Sequence, residues 1–244
     1  LLNKQIERNH TLVALGGGVI GLLVALMQKY GKLDSLITSI LTVFMLYSVN
    51  FEVMGHPNIN LLSVSTLLQR YQASSSVLLI SVLLFVALVL VVLFSLLMRS
   101  QLGLPLRVFG ENCALLSVLA KSRLLVLVFG LVVSNALAAL SGVMTAQVNG
   151  YADINMGVGV ALTAIGSMVV GLTLLRQYQF TTTRYHYLME IGASLLGVLL
   201  YFLILNLLLH YGLNPILMKL VLGLLLFFFS FLLARLLLIR SRKT

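Results

Sequence analysis

VLLISVLLFVALVLVVLFSLLM, residues 77–98, holds no charged side chain and no proline. A helix of about 20 apolar residues crosses the ~30 Å hydrocarbon core of a bilayer. This stretch therefore reads as a transmembrane helix. The rest of the chain supports that choice. Of 244 residues, 60% are hydrophobic and only 9% charged. Mean hydropathy is +1.10. A soluble domain carries roughly 25% charged residues, so this chain lacks the polar surface to cover a water-soluble globule. The expected fold is all-α: a polytopic transmembrane helix bundle, treated as one domain over 1–244.

Seven apolar runs fit spans: 12–27, 33–50, 77–98, 124–148, 156–175, 187–209 and 215–238. The first two are short or tinged with polar residues, and 156–175 is rich in glycine. These three are candidates for broken or re-entrant helices, which a membrane tolerates against protein or a water-filled cavity. The loop 51–76 has room for a short surface helix at LLSVSTLLQRY.

The net charge of +10 is arranged as a topology signal. Nucleic acid is not an expected partner, because no continuous basic face or aromatic platform accompanies the charge. With loop 99–123 inside, Lys29, Lys32, Arg99, Arg107, Lys121, Arg123, Arg176, Arg184, Arg235, Arg240, Arg242 and Lys243 fall on the cytoplasmic side. Lys4, Arg8, Arg70 and Lys219 fall outside. The excess of Lys and Arg on cytoplasmic loops sets orientation. The C-terminus is expected in the cytoplasm. The outside start at Leu1, without a signal peptide, leads to the expectation of a missing upstream segment.

Small residues mark expected packing faces. Ser134, Ala138 and Gly142 recur every four residues, and Gly17 and Gly21 form a GxxxG pair. Such spacing lets helix backbones approach closely in a membrane. Gly157, Gly159, Gly166 and Gly171 thin the fifth run.

Catalytic chemistry finds little support. The acids Glu7, Asp34, Glu52, Glu111, Asp153 and Glu190 sit in loops or near span ends. A proton- or sodium-coupled carrier usually places an ionisable residue near the midplane. His10, His56, His186 and His210 are scattered, Cys113 stands alone, and no HExxH or P-loop occurs. No catalytic residue, metal site or cofactor is expected on this chain. Neutral and acidic polar groups do gather near the outer side: Asn50, Glu52, Gln147, Asn149, Tyr151, Asp153 and Asn155. They suit passage of a small polar or zwitterionic solute. They equally suit wetted helix ends.

The segment RVFGENCALLSVLAKSR, residues 107–123, is the polar exception among long apolar runs. Residues 107–110 read as a turn. Glu111 and Asn112 then offer a cap and a favourable charge at a helix start. Leu115, Leu116 and Leu119 stripe one face, and Lys121 and Arg123 suit the C-terminal dipole. Such a helix either lies in the headgroup layer or docks into a cytoplasmic partner, and periodicity does not separate the two.

GENCALLSVLAKSR and the following SNALAALSGVMTAQVNGYADINMGVG resemble the membrane subunits of bacterial ABC importers. LTVFMLYSVNFEVMGHPNINLL (41–62) and YGLNPILMKL (211–220) extend the likeness, which covers the chain from about Gly16 onward. The nearest resemblance is to tryptophan/tyrosine transport permeases, within the branched-chain amino acid and ribose permease group. The resemblance implies an inner-membrane homodimer, a cytoplasmic ABC ATPase dimer that holds ATP and magnesium, an extracytoplasmic solute-binding protein, and a lipid surround. It makes 107–123 the coupling helix, with Arg107, Gly110, Glu111, Asn112, Leu115, Leu116 and Leu119 engaging the ATPase. The implied activity is inward movement of a small solute, an amino acid or related compound, by alternating access. One departure is local: relatives often carry an acid after the glycine that ends the fifth span, whereas Leu172 and Thr173 follow Gly171. A secondary carrier or a channel working without an ATPase is the rival reading.

Overall fold

The computed structural model describes residues 2–62, 76–111, 122–157, 160–177 and 186–212, with isolated positions between 217 and 231. It divides into two compact units, Leu1–Met156 and Gly157–Thr244.

In the first unit, α1 (Leu2–Tyr30), α2 (Ser35–Met54), α3 (Ser76–Arg99), α4 (Gly103–Glu111) and α5 (Arg123–Asn149) follow one another. Strand β1 (Asn58–Asn60) comes after α2, and strand β2 (Tyr151–Asp153) after α5. A 3₁₀ turn, Ile154–Gly157, closes the unit's sequence. The second unit contains α6 (Val160–Gln177) and α7 (His186–His210). Among the described residues, five helices are long and apolar enough to span: His10–Tyr30, Ser35–Met54, Val77–Arg99, Arg123–Asn149 and Met189–His210. Thr163–Leu174 is a shorter apolar helix. The first two spans are continuous helices rather than broken ones. Gly17, Gly21, Thr38 and Thr42 within them are buried. The glycine-rich fifth run forms a helix of 18 residues, Val160–Gln177. The expected surface helix at 61–71 and the seventh span at 215–238 lie mostly outside the described residues.

The first unit is built on α1 against α5. From His10 onward, Gly17, Gly21, Val24 and Ala25 are the buried positions of α1, a stripe at helical spacing. A Cβ on Gly17 would lie 2.6 Å from the Asn135 carbonyl oxygen and 2.7 Å from Ala139 Cβ. One on Gly21 would lie 2.7 Å from the Leu131 carbonyl carbon. Real Cβ atoms do not come so close, so only glycine permits this backbone approach. The GxxxG expectation holds here, and the residues it meets are Leu131, Asn135 and Ala139. Ser134, Ala138 and Gly142 do not serve this packing. They occupy the neighbouring face of α5 and are exposed, with nothing within 4 Å of a Cβ built on Gly142. Both faces repeat every four residues, and the pattern alone does not say which one α1 selects.

The second unit uses the same device. A Cβ on Gly171 would fall onto the Ala193 backbone, 2.6 Å from its carbonyl carbon. One on Gly197 would lie 2.8 Å from the Gly171 nitrogen. Ser167, Val170, Thr173 and Ala193 are buried around this crossing. The buried hydroxyls are satisfied within their own helix: Ser167 Oγ donates to the Ala164 carbonyl at 2.9 Å and Thr173 Oγ1 to that of Val169 at 2.6 Å. In α2, buried Thr38 and Thr42 do likewise, donating to the carbonyls of Asp34 and Thr38 at 2.9 and 2.8 Å. No polar hydrogen of these side chains is left facing hydrocarbon, which would cost several kcal/mol.

The two strands form a small antiparallel clasp, a feature outside the all-helical expectation. Gly55 and Gly150 produce it. Each takes the left-handed conformation, with φ of 68° and 74°, and its N–H bonds back to the carbonyl of Phe51 or Ala146. Glycine is the residue that adopts this conformation without penalty, which is why it terminates helices. Both chains thus turn sharply off their helices and meet. Asn58 pairs with Asp153, Ile59 with Ala152 and Asn60 with Tyr151. Outer bonds from Leu61 N–H to Gly150 O (2.8 Å) and from Ile154 N–H to Pro57 O (3.1 Å) extend the register.

Two predictions follow from these contacts. Gly21→Val and Gly197→Val should each cost about 1–3 kcal/mol through overpacking, read as a fall of roughly 5 °C in the melting temperature of detergent-solubilised protein. Gly142→Val should leave that temperature within a degree or two of the parent's, roughly the size expected of a surface change. In a Cys113→Ser background, Asn58→Cys with Asp153→Cys should form a disulfide on mild oxidation, whereas Ile59→Cys with Asp153→Cys should not. Mass spectrometry of the oxidised protein distinguishes the two pairs.

Candidate functional site: a polar clasp at one end, a latched helix at the other

Gly17 lies beside residues 135–139 and Gly21 beside residue 131, so α1 and α5 run antiparallel. The C-terminus of α1 and the N-terminus of α5 therefore share one end of the unit. Lys29, Lys32 and Arg123 are there. Helix α4 packs on the same part of α5: a Cβ on Gly130 would touch Leu106 Cδ2 at 3.0 Å. It follows directly on α3, and brings Arg99 and Arg107 to that end. Five of the basic residues grouped by the charge argument are thus gathered by the fold. The clasp lies at the other end, with Glu52 and Asp153.

The clasp sorts its side chains by alternation. The bonds joining residue 61 to 150 and 154 to 57 mark hydrogen-bonded pairs. Asn58 with Asp153 and Asn60 with Tyr151 fall between them, in the pairs whose side chains stand closest. Side chains at alternate positions share a face. One face of the clasp therefore carries Asn58, Asn60, Tyr151 and Asp153, and the other Ile59 and Ala152. Asn58, Asn60 and Tyr151 are exposed, and Asp153 is half-buried. Two of these groups also brace their own turns: Asn60 Oδ1 accepts from Leu62 N–H at 2.8 Å, and Asp153 Oδ1 from Asn155 N–H at 2.6 Å.

Of the polar residues singled out from sequence, the fold brings Tyr151 and Asp153 together, with Asn149 and Asn155 immediately flanking them. Asn50 and Glu52 lie exposed on the last turns of α2, upstream of the clasp rather than in it. Gln147 is half-buried, away from the exposed face of α5. Sequence reasoning missed Asn58 and Asn60. The polar–apolar–polar pattern of NIN beside YAD, each shortly after a helix-ending glycine, is the signal that points to them.

A second polar surface leads away from the clasp. The exposed residues in the C-terminal half of α5 are Ser134, Ala138, Ser141, Gly142, Thr145 and Asn149. At 100° per residue they fall within an arc of about 100°. Every one is small or polar. Helix α3, by contrast, exposes Val77, Leu84, Phe85, Leu88 and Leu93, the surface that hydrocarbon wets. Ser134 Oγ and Thr145 Oγ1 donate to the carbonyls of Leu131 and Ser141, and a hydroxyl oxygen that donates still accepts. Asn135 Nδ2 donates to the Leu131 carbonyl at 2.9 Å.

At the basic end the structure corrects the reading of 107–110 as a turn. These residues are helical, inside α4, which begins at Gly103. The start signals lie upstream. Ser100 Oγ accepts from Leu102 N–H at 3.2 Å, and Pro105 sits in the first turn, where its missing N–H costs nothing. Glu111 is itself helical, eight residues after the start of α4. Gly110 is exposed. Arg107 turns back: its Nη2 donates to the Met98 carbonyl at 2.7 Å. Asn112, Leu115, Leu116 and Leu119 lie outside the described residues. Among the described residues no three of His, Cys, Asp and Glu are placed to hold a metal ion together.

Residues 11–230 match a family model described as the permease component of branched-chain amino acid transport systems. An uncharacterised protein of Rickettsia prowazekii (strain Madrid E) is 42% identical over 220 residues, covering 89% of this chain and 76% of the relative. A tyrosine transport system permease protein of Clostridioides difficile (strain R20291) is 34% identical over 171 residues, covering 70% of this chain. The chain spans 56% of that relative's length. No solved structure matches. Apolar spanning helices, the polar face of α5 and a family match over most of the sequence lead to one assignment: the chain is a multi-pass membrane protein of the branched-chain amino acid transport permease family.

Proposed function

We propose that this permease is the membrane subunit of a bacterial ATP-driven ABC importer. It moves a small solute inward by alternating access, and the solute is an amino acid or a related compound. Two copies form the transport unit in the cytoplasmic membrane. A cytoplasmic ABC ATPase dimer binds ATP and magnesium, and an extracytoplasmic binding protein delivers the solute. The basic end of the first unit and the C-terminus face the cytoplasm, following the positive-inside rule. The clasp faces outward.

The observation that carries this reading is α4. A nine-residue helix at the basic end follows α3, packs on α5 and precedes the segment up to 123. A partner pressing on it reaches two long helices at once. A carrier driven by ions would place ionisable groups inside its spans. Helices α3 and α5 carry charge only at Arg99 and Arg123, their ends. The relative named for tyrosine transport supports an amino-acid-like solute, and the polar face of α5 with Tyr151, Asp153, Asn58 and Asn60 at its outer end supports the route. Asn50, Glu52, Gln147, Asn149 and Asn155 border it. Gly110, Glu111, Asn112, Leu115, Leu116 and Leu119 meet the ATPase.

The test is purification and reconstitution. An ATPase subunit should copurify in stoichiometric amount, and uptake of labelled solute into proteoliposomes should require internal ATP. Uptake that proceeds without ATP, driven by an ion gradient, would sink the proposal. Glu111→Lys should lower uptake about tenfold, on the scale of a lost charged contact, while ATP hydrolysis loses its stimulation by loaded binding protein. Asp153→Asn and Tyr151→Ala should raise the solute concentration for half-maximal uptake by roughly tenfold, as the loss of a binding contact does.

A further inference from the structure

We propose that Arg107 is a positioning residue that latches α4 to the end of α3, so that the two helices move as one lever. This rests on the coupling role assigned above, and it removes Arg107 from the surface that meets the ATPase.

The Met98 carbonyl lies in the last turn of α3, where carbonyls have no partner inside the helix. Arg107 Nη2 donates to it at 2.7 Å across nine residues of sequence. The bond is charge-assisted, and the guanidinium sits at the negative end of the helix dipole. Arg107 is half-buried there. The connection it spans has little slack. Ser100 N–H bonds to the carbonyls of Leu96 and Leu97, at 3.0 and 3.1 Å. Its hydroxyl donates to the Leu97 carbonyl at 2.6 Å and accepts from Leu102 N–H. Gly103 is buried so tightly that a Cβ would come within 2.6 Å of the Met98 carbonyl oxygen.

What the latch moves follows from the packing of α3. Among its described residues Leu79 is the only buried hydrophobic one, and its main packing partner among the described elements is α4. Helix α3 therefore receives displacement chiefly through α4. Without the Arg107 bond, α4 pivots about residues 100–102 and motion at the coupling segment does not reach α3. With it, rotation of α4 carries the whole span.

The test compares Arg107→Met, which keeps the length of the stem, with Arg107→Lys, which keeps a cationic donor. In proteoliposomes containing the copurified ATPase and its binding protein, R107M should retain the ATPase but transport roughly tenfold less solute per ATP hydrolysed, the scale of a lost charge-assisted bond. R107K should recover most of the ratio. A purely structural role would lower the amount of complex without changing solute per ATP. Loss of the ATPase from R107M would make Arg107 a docking contact and overturn the proposal, as would an unchanged ratio or an R107K no better than R107M. Spin labels at Leu96→Cys and Leu104→Cys, in a Cys113→Ser background, read the latch directly. Their distance distribution should be narrow in the parent and broad in R107M, and a narrow distribution in R107M overturns the latch. Absence of an ATPase from the parent preparation would fail the importer reading instead, and the spin labels would still decide the latch.

Discussion

Everything in the first unit depends on the approach of α1 to α5 at Gly17 and Gly21. In a bilayer, lipid tails are as apolar as leucine, so burying leucine between helices gains little. Association comes from close packing of backbone and small side chains. Two missing Cβ atoms let α1 lie on the backbone at residues 131–139. The antiparallel direction of that contact then fixes which loops share an end. The basic residues at one end and the clasp at the other are consequences of this single crossing. Gly171 and Gly197 meet the same requirement for α6 and α7 within the second unit.

Fixing the ends leaves the exposed faces to be explained. Helix α3 exposes chiefly valine, leucine and phenylalanine, while the C-terminal half of α5 exposes serine, threonine, asparagine, alanine and glycine. A helix surrounded by lipid gains from the first composition and nothing from the second. The polar face of α5 therefore belongs against water, solute or protein. It begins near Ser134, about the middle of the helix, and ends at Asn149, one residue before the glycine that turns the chain into the clasp. Ser134, Ser141, Thr145 and Asn149 thus place hydrogen-bonding groups from the helix centre to the clasp.

Much of this was legible beforehand. Hydropathy located the long helices because a span is set by bilayer thickness, a property of length and composition that needs no partner. Gly17 and Gly21 were legible because only close packing gives two glycines four apart a use in a spanning helix. The face Ser134–Ala138–Gly142 carried the same signature, and α1 packs beside it rather than on it. Small residues report that something lies near, not what, and within the chain that something is not α1. The clasp escaped notice for a different reason. Three-residue strands have no periodicity to detect, and their pairing joins positions nearly a hundred residues apart. Residues 107–110 read as a turn because the polar character of 107–123 outweighs Ser100 and Pro105, which mark the start of a helix at Gly103.

Arg107 shows how that difference changes a functional argument. Placed in a turn, its charge belongs to the surface and to any acidic partner. Placed in the second turn of a helix that doubles back on α3, the same charge finds a carbonyl at 2.7 Å and becomes internal. Gly110, further along α4, stays exposed. An elbow between two helices keeps its angle when both the backbone and a side chain tie the helices together. Gly103, too crowded for a Cβ, and Arg107, bonded across the elbow, supply the fastening within five residues of each other.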